Sequence, residues 1–274
     1  MTAELIIETI QKDLPYGSDQ RQRLDLYFPV EPNGALLLDI HGGGWWQGDK
    51  AKEAAFATRL ADAGYLVAVP NYRFADGQAG RNLYPTQVED VRAALAWLRN
   101  GDLEFSRDRI GAIGGSTGGN LALELAIAEG LPAASWSGLL DLAGFIAKYG
   151  DADPHKVDIN PDAPSDQIDQ GGWDPGYYKW LVFNLLGPSL DNLDAATPVR
   201  RISATTGPCL FANSLEELVP PEESLTAAQA LVGAGVPARV LLFEGRRHAA
   251  AYLDDALVET LRFFAHYLGV QAPA

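Results

Sequence analysis

The sequence predicts an α/β fold in which a mostly parallel sheet carries helices on both faces. The chain has 274 residues, 47% of them hydrophobic, which suits one large domain of this class. Short apolar runs alternate with helix-like segments, as expected when helices cross between parallel strands. We therefore expect a single domain over residues 1–274, interrupted by an insertion at 141–206.

The individual elements follow from hydrophobic periodicity. Residues 23–28 alternate with period two and predict an early antiparallel strand, whereas the later strands are short apolar runs. These runs lie at residues 35–40, 65–69, 110–113, 210–212 and 239–243. Apolar stripes and terminal glycines predict the helices. The helices are expected at residues 52–63, 85–100, 121–128, 222–232 and 254–268.

The insertion interrupts the alternation of strands and helices. It contains several aspartates and prolines, followed by a helix rich in aromatic residues. Asp174 and Pro175 have the pattern of an N-cap followed by proline at the first helical position, and Gly187 ends the helix. Apolar side chains cover every face of that helix, so it needs cover from the core, from a pocket or from a second subunit. We favour a lid or wall of a pocket, and keep packing against the body of the domain and a homodimer contact as the alternatives.

Composition limits the partners. The formal charge is −15, so the sequence does not predict binding to nucleic acid or to an anionic membrane surface. The lone Cys209 excludes an intramolecular disulfide and is expected to be a buried structural thiol. The N-terminal residues lack a signal-peptide pattern and no run is long enough to span a bilayer, so we expect a cytoplasmic protein.

The strongest functional motif is Gly114-Gly-Ser-Thr-Gly118, placed between a predicted strand and a predicted helix. Gly-x-Ser-x-Gly in that context is a nucleophile elbow, in which a cramped turn exposes the serine at a helix N-terminus. The sequence therefore predicts Ser116 as a catalytic nucleophile.

A serine nucleophile needs a base, and the base needs an orienting acid. Of the four histidines, His248 lies in the loop between the last predicted strand and the last helix, where the base of such enzymes occurs. Glu216 and Glu217 are the carboxylates that follow the penultimate strand, and the residues alone leave both open. Asp141 is a reserve candidate, although we expect it to cap the helix that follows.

An oxyanion hole needs backbone N–H donors that face the reacting carbonyl. We expect these donors from Thr117, which follows the nucleophile, and from Gly43 and Gly44 in the run His41-Gly-Gly-Gly-Trp45. The alternative of a phosphate loop fails because Asp49 and Lys50 stand where Lys and Ser/Thr are required. Histidines and cysteine also lack metal-ligand spacing, so we expect neither a metal nor a cofactor.

Together these motifs resemble the α/β-hydrolase esterases related to hormone-sensitive lipase, and within them the esterase/arylformamidase group. The similar segments include His41–Trp45, Asn71-Tyr-Arg73, Gly114–Gly119, Ser214–Pro220 and Gly245–Ala249. The family usually has Asp-Glu-Leu-Val-Pro in the fourth segment, so the resemblance implies Glu216 as the triad acid, with glutamate in place of aspartate. The elbow also has Thr117 where alanine is frequent, so a hydroxyl is expected beside the oxyanion.

The resemblance implies a serine carboxylesterase that hydrolyses small-molecule substrates, namely short acyl esters of small or aromatic alcohols, through an acyl-enzyme. The alternatives are an arylformamidase that cleaves N-formylkynurenine and, from another class, a non-catalytic binding protein of the same fold. The insertion is expected to close over the acyl pocket and limit chain length. The candidate pocket residues are Trp45, Trp173, Tyr177, Trp180 and Phe183.

Overall fold

The computed structural model describes residues 7–157 and 172–271. Over these residues one eight-stranded sheet forms the centre, in the strand order β1-β2-β4-β3-β5-β6-β7-β8. The strands are β1 (Ile7–Pro15), β2 (Arg23–Pro29), β3 (Leu36–Ile40), β4 (Leu66–Pro70), β5 (Ile110–Gly115), β6 (Ala133–Trp136), β7 (Cys209–Ser214) and β8 (Ala238–Phe243). β2 runs antiparallel to β1 and β4, and β3 to β8 are parallel. The predicted α/β class is confirmed.

Helices cover both faces of the sheet. They are α1 (Ala54–Asp62), α2 (Thr86–Asn100), α3 (Thr117–Glu129), α4 (Leu142–Tyr149), α5 (Pro175–Leu186), α6 (Pro221–Gly233) and α7 (Leu253–Leu268). Side chains of β3 alternate between the two cores, because successive residues of a strand face opposite sides. Leu36 and Leu38 pack in the core that includes α2, α3, α5 and α6, whereas Leu37 packs with α1 and α7.

Two strands were not predicted from the sequence. β6 is only four residues long, Ala-Ala-Ser-Trp, and its small side chains carry little strand preference. β1 lies at the sheet edge and its sequence mixes charged and apolar residues, which hides the period of two. The predicted strands and helices elsewhere are present, with ends shifted by a few residues.

The insertion contributes α4 and α5 to the described residues. Asp141 caps α4 by accepting the N–H of Gly144, and Asp174 caps α5 by accepting the N–H of Tyr177, as expected for both. The rings of Phe145 and Tyr178 stack with centroids 3.8 Å apart and join the two helices. Four of the insertion's aspartates lie outside the described residues: Asp158, Asp162, Asp166 and Asp169.

The carboxyl ends of the parallel strands bring three of the candidate residues, and one further serine, to one edge of the sheet. Ser116 follows β5, Ser137 follows β6, Glu217 follows β7 and His248 follows β8. In open α/β sheets, ligands bind at this edge, outside the carboxyl ends of the strands. No helix in the described part of the chain is long and apolar enough to cross a membrane.

Candidate active site

Ser116 occupies a strained turn between β5 and α3. Its backbone has φ 55° and ψ −125°, a conformation that non-glycine residues rarely adopt. A Cβ at Gly118 would lie 1.9 Å from the carbonyl oxygen of Ile40, and one at Gly114 would lie 2.4 Å from the carbonyl carbon of Gly118. Glycine is therefore required on both sides of the serine, and the turn exposes Ser116 to a cavity that it lines.

The glycine loop runs directly beside the serine. A Cβ at Gly42 would lie 3.1 Å from the Cβ of Ser116, and Gly43 and Gly44 line the same cavity. Gly44 has φ +64° and its missing side chain would collide with Leu181, so the loop needs glycine there. The N–H of Thr117 opens α3 and has no acceptor within the helix. Gly43 and Gly44 thus lie in the cavity wall, and Thr117 directly follows Ser116. The Thr117 side chain is buried and does not line the cavity.

His248 is paired with Glu217. The Oε2 atom of Glu217 lies 2.5 Å from Nδ1 of His248, and both side chains are buried. The expectation that Glu216 orients the histidine is wrong. The Glu216 side chain is 66% exposed and lies 3.6 Å from Nε of Arg246, because neighbouring residues of the turn after β7 point to opposite sides.

Three donors hold the second oxygen of Glu217. Its Oε1 accepts the hydroxyl of Ser137 at 2.9 Å, the amide N–H of Asn213 at 2.8 Å and the backbone N–H of Ser214 at 2.7 Å. A buried carboxylate needs such partners, because leaving it unpaired would be costly. The network fixes Glu217 against the ends of β6 and β7, so Oε2 is presented to His248.

The other ring nitrogen of His248 is free to act on a substrate. Within the described residues Nε2 is buried and has no hydrogen-bond partner, and His248 lines the same cavity as Ser116. With Nδ1 bonded to a carboxylate, the neutral ring carries its proton on Nδ1 and its lone pair on Nε2. That is the form which accepts a proton from a serine hydroxyl.

A second histidine in the cavity, His41, has a different role. Its Nδ1 donates to the carbonyl of Gly42 at 2.6 Å, and its ring stacks on Tyr72 with centroids 4.3 Å apart. Burial lowers the pKa of His41 to about 4, so the ring is neutral at pH 7. His41 therefore shapes the glycine loop as an uncharged, packed side chain.

The cavity has an apolar wall and a polar wall. Its volume is about 60 Å³, room for roughly four or five water molecules. Phe56, Trp136, Leu181 and Leu218 form the apolar wall. The polar wall is built by residues 47–53, and it includes Gln47, Asp49, Lys52 and Glu53.

Behind the polar wall lies a buried acid on β3. Burial, together with the negative charge of Glu53, raises the pKa of Asp39 well above its usual range. This favours the neutral acid at Asp39 and avoids a second negative charge beside Glu53.

The expected pocket residues are only partly in place. Tyr177 lines the cavity, as expected. The prediction that Trp45 lines the pocket is wrong, because its side chain is fully buried in the core beside the glycine loop. The prediction that Trp173 lines the pocket is also wrong, because its ring packs on Phe145 and Tyr149.

Two further expected pocket residues on α5 lie elsewhere. Trp180 packs on Trp46 and lines a different cavity, and Phe183 lies under Lys179 away from the site. Leu181 was not predicted from the sequence as a pocket residue, although it stands one helical turn after Tyr177 and so shares its face.

Nothing in the described ranges forms a metal-binding cluster of histidine, cysteine, aspartate or glutamate. Cys209 is buried in β7 and burial raises the pKa of its thiol, which keeps it protonated and unreactive.

A strained serine at a strand–helix turn, a histidine–carboxylate pair and a mostly parallel sheet define an α/β-hydrolase. The chain belongs to the BD-FAE family, whose model matches residues 24–231. The sequence-based recognition of an esterase-like α/β-hydrolase is thereby confirmed.

Curated relatives are similar over part or most of this chain. A probable isoprenylcysteine alpha-carbonyl methylesterase, ICMEL1 of Oryza sativa subsp. japonica, is 27% identical over 265 residues, covering 90% of this chain and 58% of the relative. A probable carboxylic ester hydrolase of Mycobacterium tuberculosis, LipM, is 32% identical over 118 residues, covering 40% of this chain and 26% of that protein. The chain thus spans under two thirds of the length of these relatives.

Solved structures share the fold. A truncated carbohydrate esterase from gut microbiota superposes with a TM-score of 0.76 at 19% identity, covering 97% of this chain and 99% of the other. Esterase B from Lactobacillus rhamnosis superposes with a TM-score of 0.71 at 19% identity, covering 95% and 86%. These likenesses confirm the α/β-hydrolase fold.

Proposed function

We propose that this chain is a serine carboxylesterase that hydrolyses esters of short acyl groups. The observation that carries the proposal is the buried Glu217–His248 pair. Nε2 of His248 has no hydrogen-bond partner among the described residues, and His248 lines the same cavity as Ser116. A serine alone is a poor nucleophile, and this arrangement supplies the base and the group that orients it.

Acylation begins when His248 accepts the proton of Ser116 through Nε2. The Oγ of Ser116 attacks the ester carbonyl carbon and forms a tetrahedral intermediate. Glu217 holds the ring in the correct tautomer and stabilises the positive charge that His248 acquires. His248 then gives its proton to the alcohol oxygen, the carbon–oxygen bond breaks, and the acyl group remains on Ser116.

The backbone N–H groups of Gly43, Gly44 and Thr117 bind the negative oxygen of the intermediate. The N-terminus of α3 adds its dipole at the same point. Deacylation repeats these steps with water as the nucleophile. His248 takes a proton from water while the water oxygen attacks the acyl carbon. His248 then returns this proton to Oγ of Ser116 as the acyl–serine bond breaks, and the acid is released.

The size of the cavity supports a short acyl group. A volume of about 60 Å³ is small, which supports a short acyl group in preference to a long aliphatic chain. Tyr177 and Leu181 of α5 close part of this space, which supports the assignment of the insertion at 141–206 as a cap on a single domain. The predictions of a cytoplasmic location and of a homodimer stay predictions.

The similar proteins support ester hydrolysis. They include a probable methylesterase, a probable carboxylic ester hydrolase and, at 30% identity over 131 residues, an arylesterase of Saccharolobus solfataricus. A complete serine, histidine and carboxylate set argues against a non-catalytic binding protein, because loss of catalysis usually removes one member.

The test is a turnover screen with 4-nitrophenyl esters from acetate to decanoate, with N-formylkynurenine alongside. We expect the highest kcat/KM for acetate to butyrate, and loss of this activity in Ser116→Ala. Faster turnover of N-formylkynurenine than of every ester would make the protein a formamidase. Absence of turnover on all of them would overturn the proposal.

A further inference from the structure

Ser137 lies beside the Glu217–His248 pair, directly after the end of β6. Its side chain is fully buried and is not among the described residues that line the cavity at Ser116. Its backbone has φ 52°, which places a non-glycine residue in the left-handed region. Strained residues of this kind persist only where the surrounding structure holds them, and they cluster at functional sites. The position of Ser137 is therefore set by its contacts and not by the preference of its own backbone.

The hydroxyl of Ser137 has three hydrogen-bond partners. Its Oγ lies 2.9 Å from Oε1 of Glu217, 2.9 Å from the backbone nitrogen of Ala249 and 2.8 Å from the hydroxyl oxygen of Tyr252. A carboxylate can only accept hydrogen bonds, so the single hydroxyl proton of Ser137 goes to Glu217. The Ser137 oxygen then accepts from the N–H of Ala249 and from the hydroxyl of Tyr252. One side chain thus contacts both the acid and the residue that follows the base.

Tyr252 supplies a proton to this network. Its side chain is fully buried and its ring packs on Trp136, with centroids 5.7 Å apart. Burial, together with the negative charge of Glu217, raises the pKa of Tyr252 well above its usual range, so the hydroxyl keeps its proton. The hydroxyl also lies 2.8 Å from the carbonyl oxygen of Ala212, which already accepts the N–H of Ser137. The proton of Tyr252 can therefore be shared with Ser137.

The loop that carries His248 is held through the next residue. Ala249 has φ 49°, so it is a second non-glycine residue in the left-handed region, and it lines the cavity. Its N–H donates to Ser137, and this hydrogen bond joins the end of β6 to the loop after β8. Because Ala249 adjoins His248, the bond restrains the backbone from which the imidazole ring projects.

The same end of β6 also holds the nucleophile. The backbone N–H of Ser116 donates to the carbonyl of Trp136 at 2.7 Å, and Trp136 directly precedes Ser137. Residues 136–137 therefore bond to Ser116, to Glu217 and to the neighbour of His248. A displacement of about 1 Å between reacting groups can cost about 10²-fold in rate, so a shared support for all three has a direct effect on catalysis.

We propose that Ser137 is a positioning residue which, together with Tyr252, fixes Glu217 and His248 relative to each other. The inference rests on the proposed esterase activity and adds to the three side chains that carry out the reaction. Ser137 acts on the chemistry through Glu217 and through the backbone at Ala249. Its loss slows the proton transfers of His248 and leaves the binding of the ester unchanged.

The experiment removes one hydroxyl group at a time. Ser137→Ala removes the hydroxyl and keeps Cβ, Ser137→Gly also relieves the positive φ, and Tyr252→Phe removes only the phenolic oxygen. The matched control is Ser135→Ala, because Ser135 is a buried serine of β6 whose Oγ has no hydrogen-bond partner among the described residues. We measure kcat and KM for 4-nitrophenyl acetate, and thermal unfolding shows which variants are folded.

We expect kcat to fall about 10–100-fold in both Ser137 variants, because a hydrogen bond to a charged group is lost. In Tyr252→Phe the fall should be about 3–10-fold, because the lost hydrogen bond joins two neutral groups. KM should stay within about threefold, since the effect lies in the chemical step. The control Ser135→Ala should keep the kcat of the native chain.

A double-mutant cycle shows whether Ser137 acts through Glu217. In the Glu217→Gln background the carboxylate that receives the hydroxyl proton is gone. Ser137→Ala should therefore lower kcat by no more than about threefold further in that background. A purely structural role of Ser137 would cost the same factor in both backgrounds, and that result would overturn the inference.

Native kcat in Ser137→Ala, or in Ser137→Gly alone, would also overturn the inference while leaving the esterase assignment intact. If neither Ser137 variant folds, Tyr252→Phe decides, and native kcat in that variant would contradict the inference. If the native chain hydrolyses neither 4-nitrophenyl acetate nor another substrate of the turnover screen, the proposed function itself fails.

Discussion

The carboxylate of Glu217 lies 2.5 Å from Nδ1 of His248. This contact joins the turn after β7 to the loop after β8, and both partners are buried. Because Oε1 of the same carboxylate is held by three donors, Glu217 cannot turn away from the ring. The orientation of the histidine is thus built into the ends of the strands.

The first prediction compares the two adjacent glutamates. Glu217→Gln should lower kcat by about 10³–10⁴-fold, because an amide cannot both fix the tautomer and stabilise the charged ring. Glu216→Gln is the matched control, and its kcat should stay within about twofold, since Glu216 is exposed. Steady-state kinetics with 4-nitrophenyl acetate measures both. Equal losses in the two variants would contradict the assignment of Glu217.

The acid that orients His248 could not be predicted correctly from the sequence. The motif at Gly114–Gly118 specified Ser116, because only that turn geometry requires glycines at both positions. Position along the chain was enough to single out His248. Glu216 and Glu217 are adjacent, however, and a turn sends neighbouring side chains in opposite directions. The choice depended on Ser137 and Asn213, which are distant in sequence from His248.

The second prediction concerns Glu223 of α6 and the pH dependence of stability. Glu223 accepts the N–H groups of Leu140 and Asp141 and contacts the hydroxyl of Tyr178, so it ties the insertion to the body. Burial raises the pKa of Glu223 from its ordinary 4.5 to about 7, and the nearby charge of Asp141 adds to this.

Between those two values the folded chain binds a proton that the unfolded chain has lost. The contribution of Glu223 to the free energy of unfolding is therefore greatest below about pH 4.5 and falls as pH rises to about 7. The fall should reach about 3 kcal/mol. Urea unfolding of the native chain and of Glu223→Gln at pH 5 to 8 gives the difference between them. A difference that does not change with pH would contradict the prediction.

The third prediction concerns the acyl-length limit. Leu181→Ala should enlarge the cavity at Ser116 and raise the ratio of kcat/KM for hexanoate over acetate by about tenfold. The matched control is Leu185→Ala, one turn further along α5, which is equally buried but does not line this cavity. Both variants should lose about 2–5 kcal/mol of stability. An unchanged ratio in Leu181→Ala would show that α5 does not limit the acyl chain.

The fold was more predictable than the pocket. Period-two and helical patterns are local, and they specified most strands and helices, with the exceptions of the short β6 and the edge strand β1. The pocket depends on which face of α5 meets the sheet. Because α5 is apolar on every face, its sequence did not distinguish Tyr177 and Leu181, which line the cavity, from Trp180 and Phe183, which do not. Packing against α4 and the glycine loop decides that orientation.

The central claim is that Ser116 is a nucleophile activated by His248. Its most direct test is reaction with a fluorophosphonate followed by intact-protein mass measurement and peptide mapping. We predict one adduct per chain, on Ser116, with no adduct in Ser116→Ala and a labelling rate at least about a hundredfold lower in His248→Ala. An adduct on another residue, or labelling of Ser116→Ala at the native rate, would contradict the account.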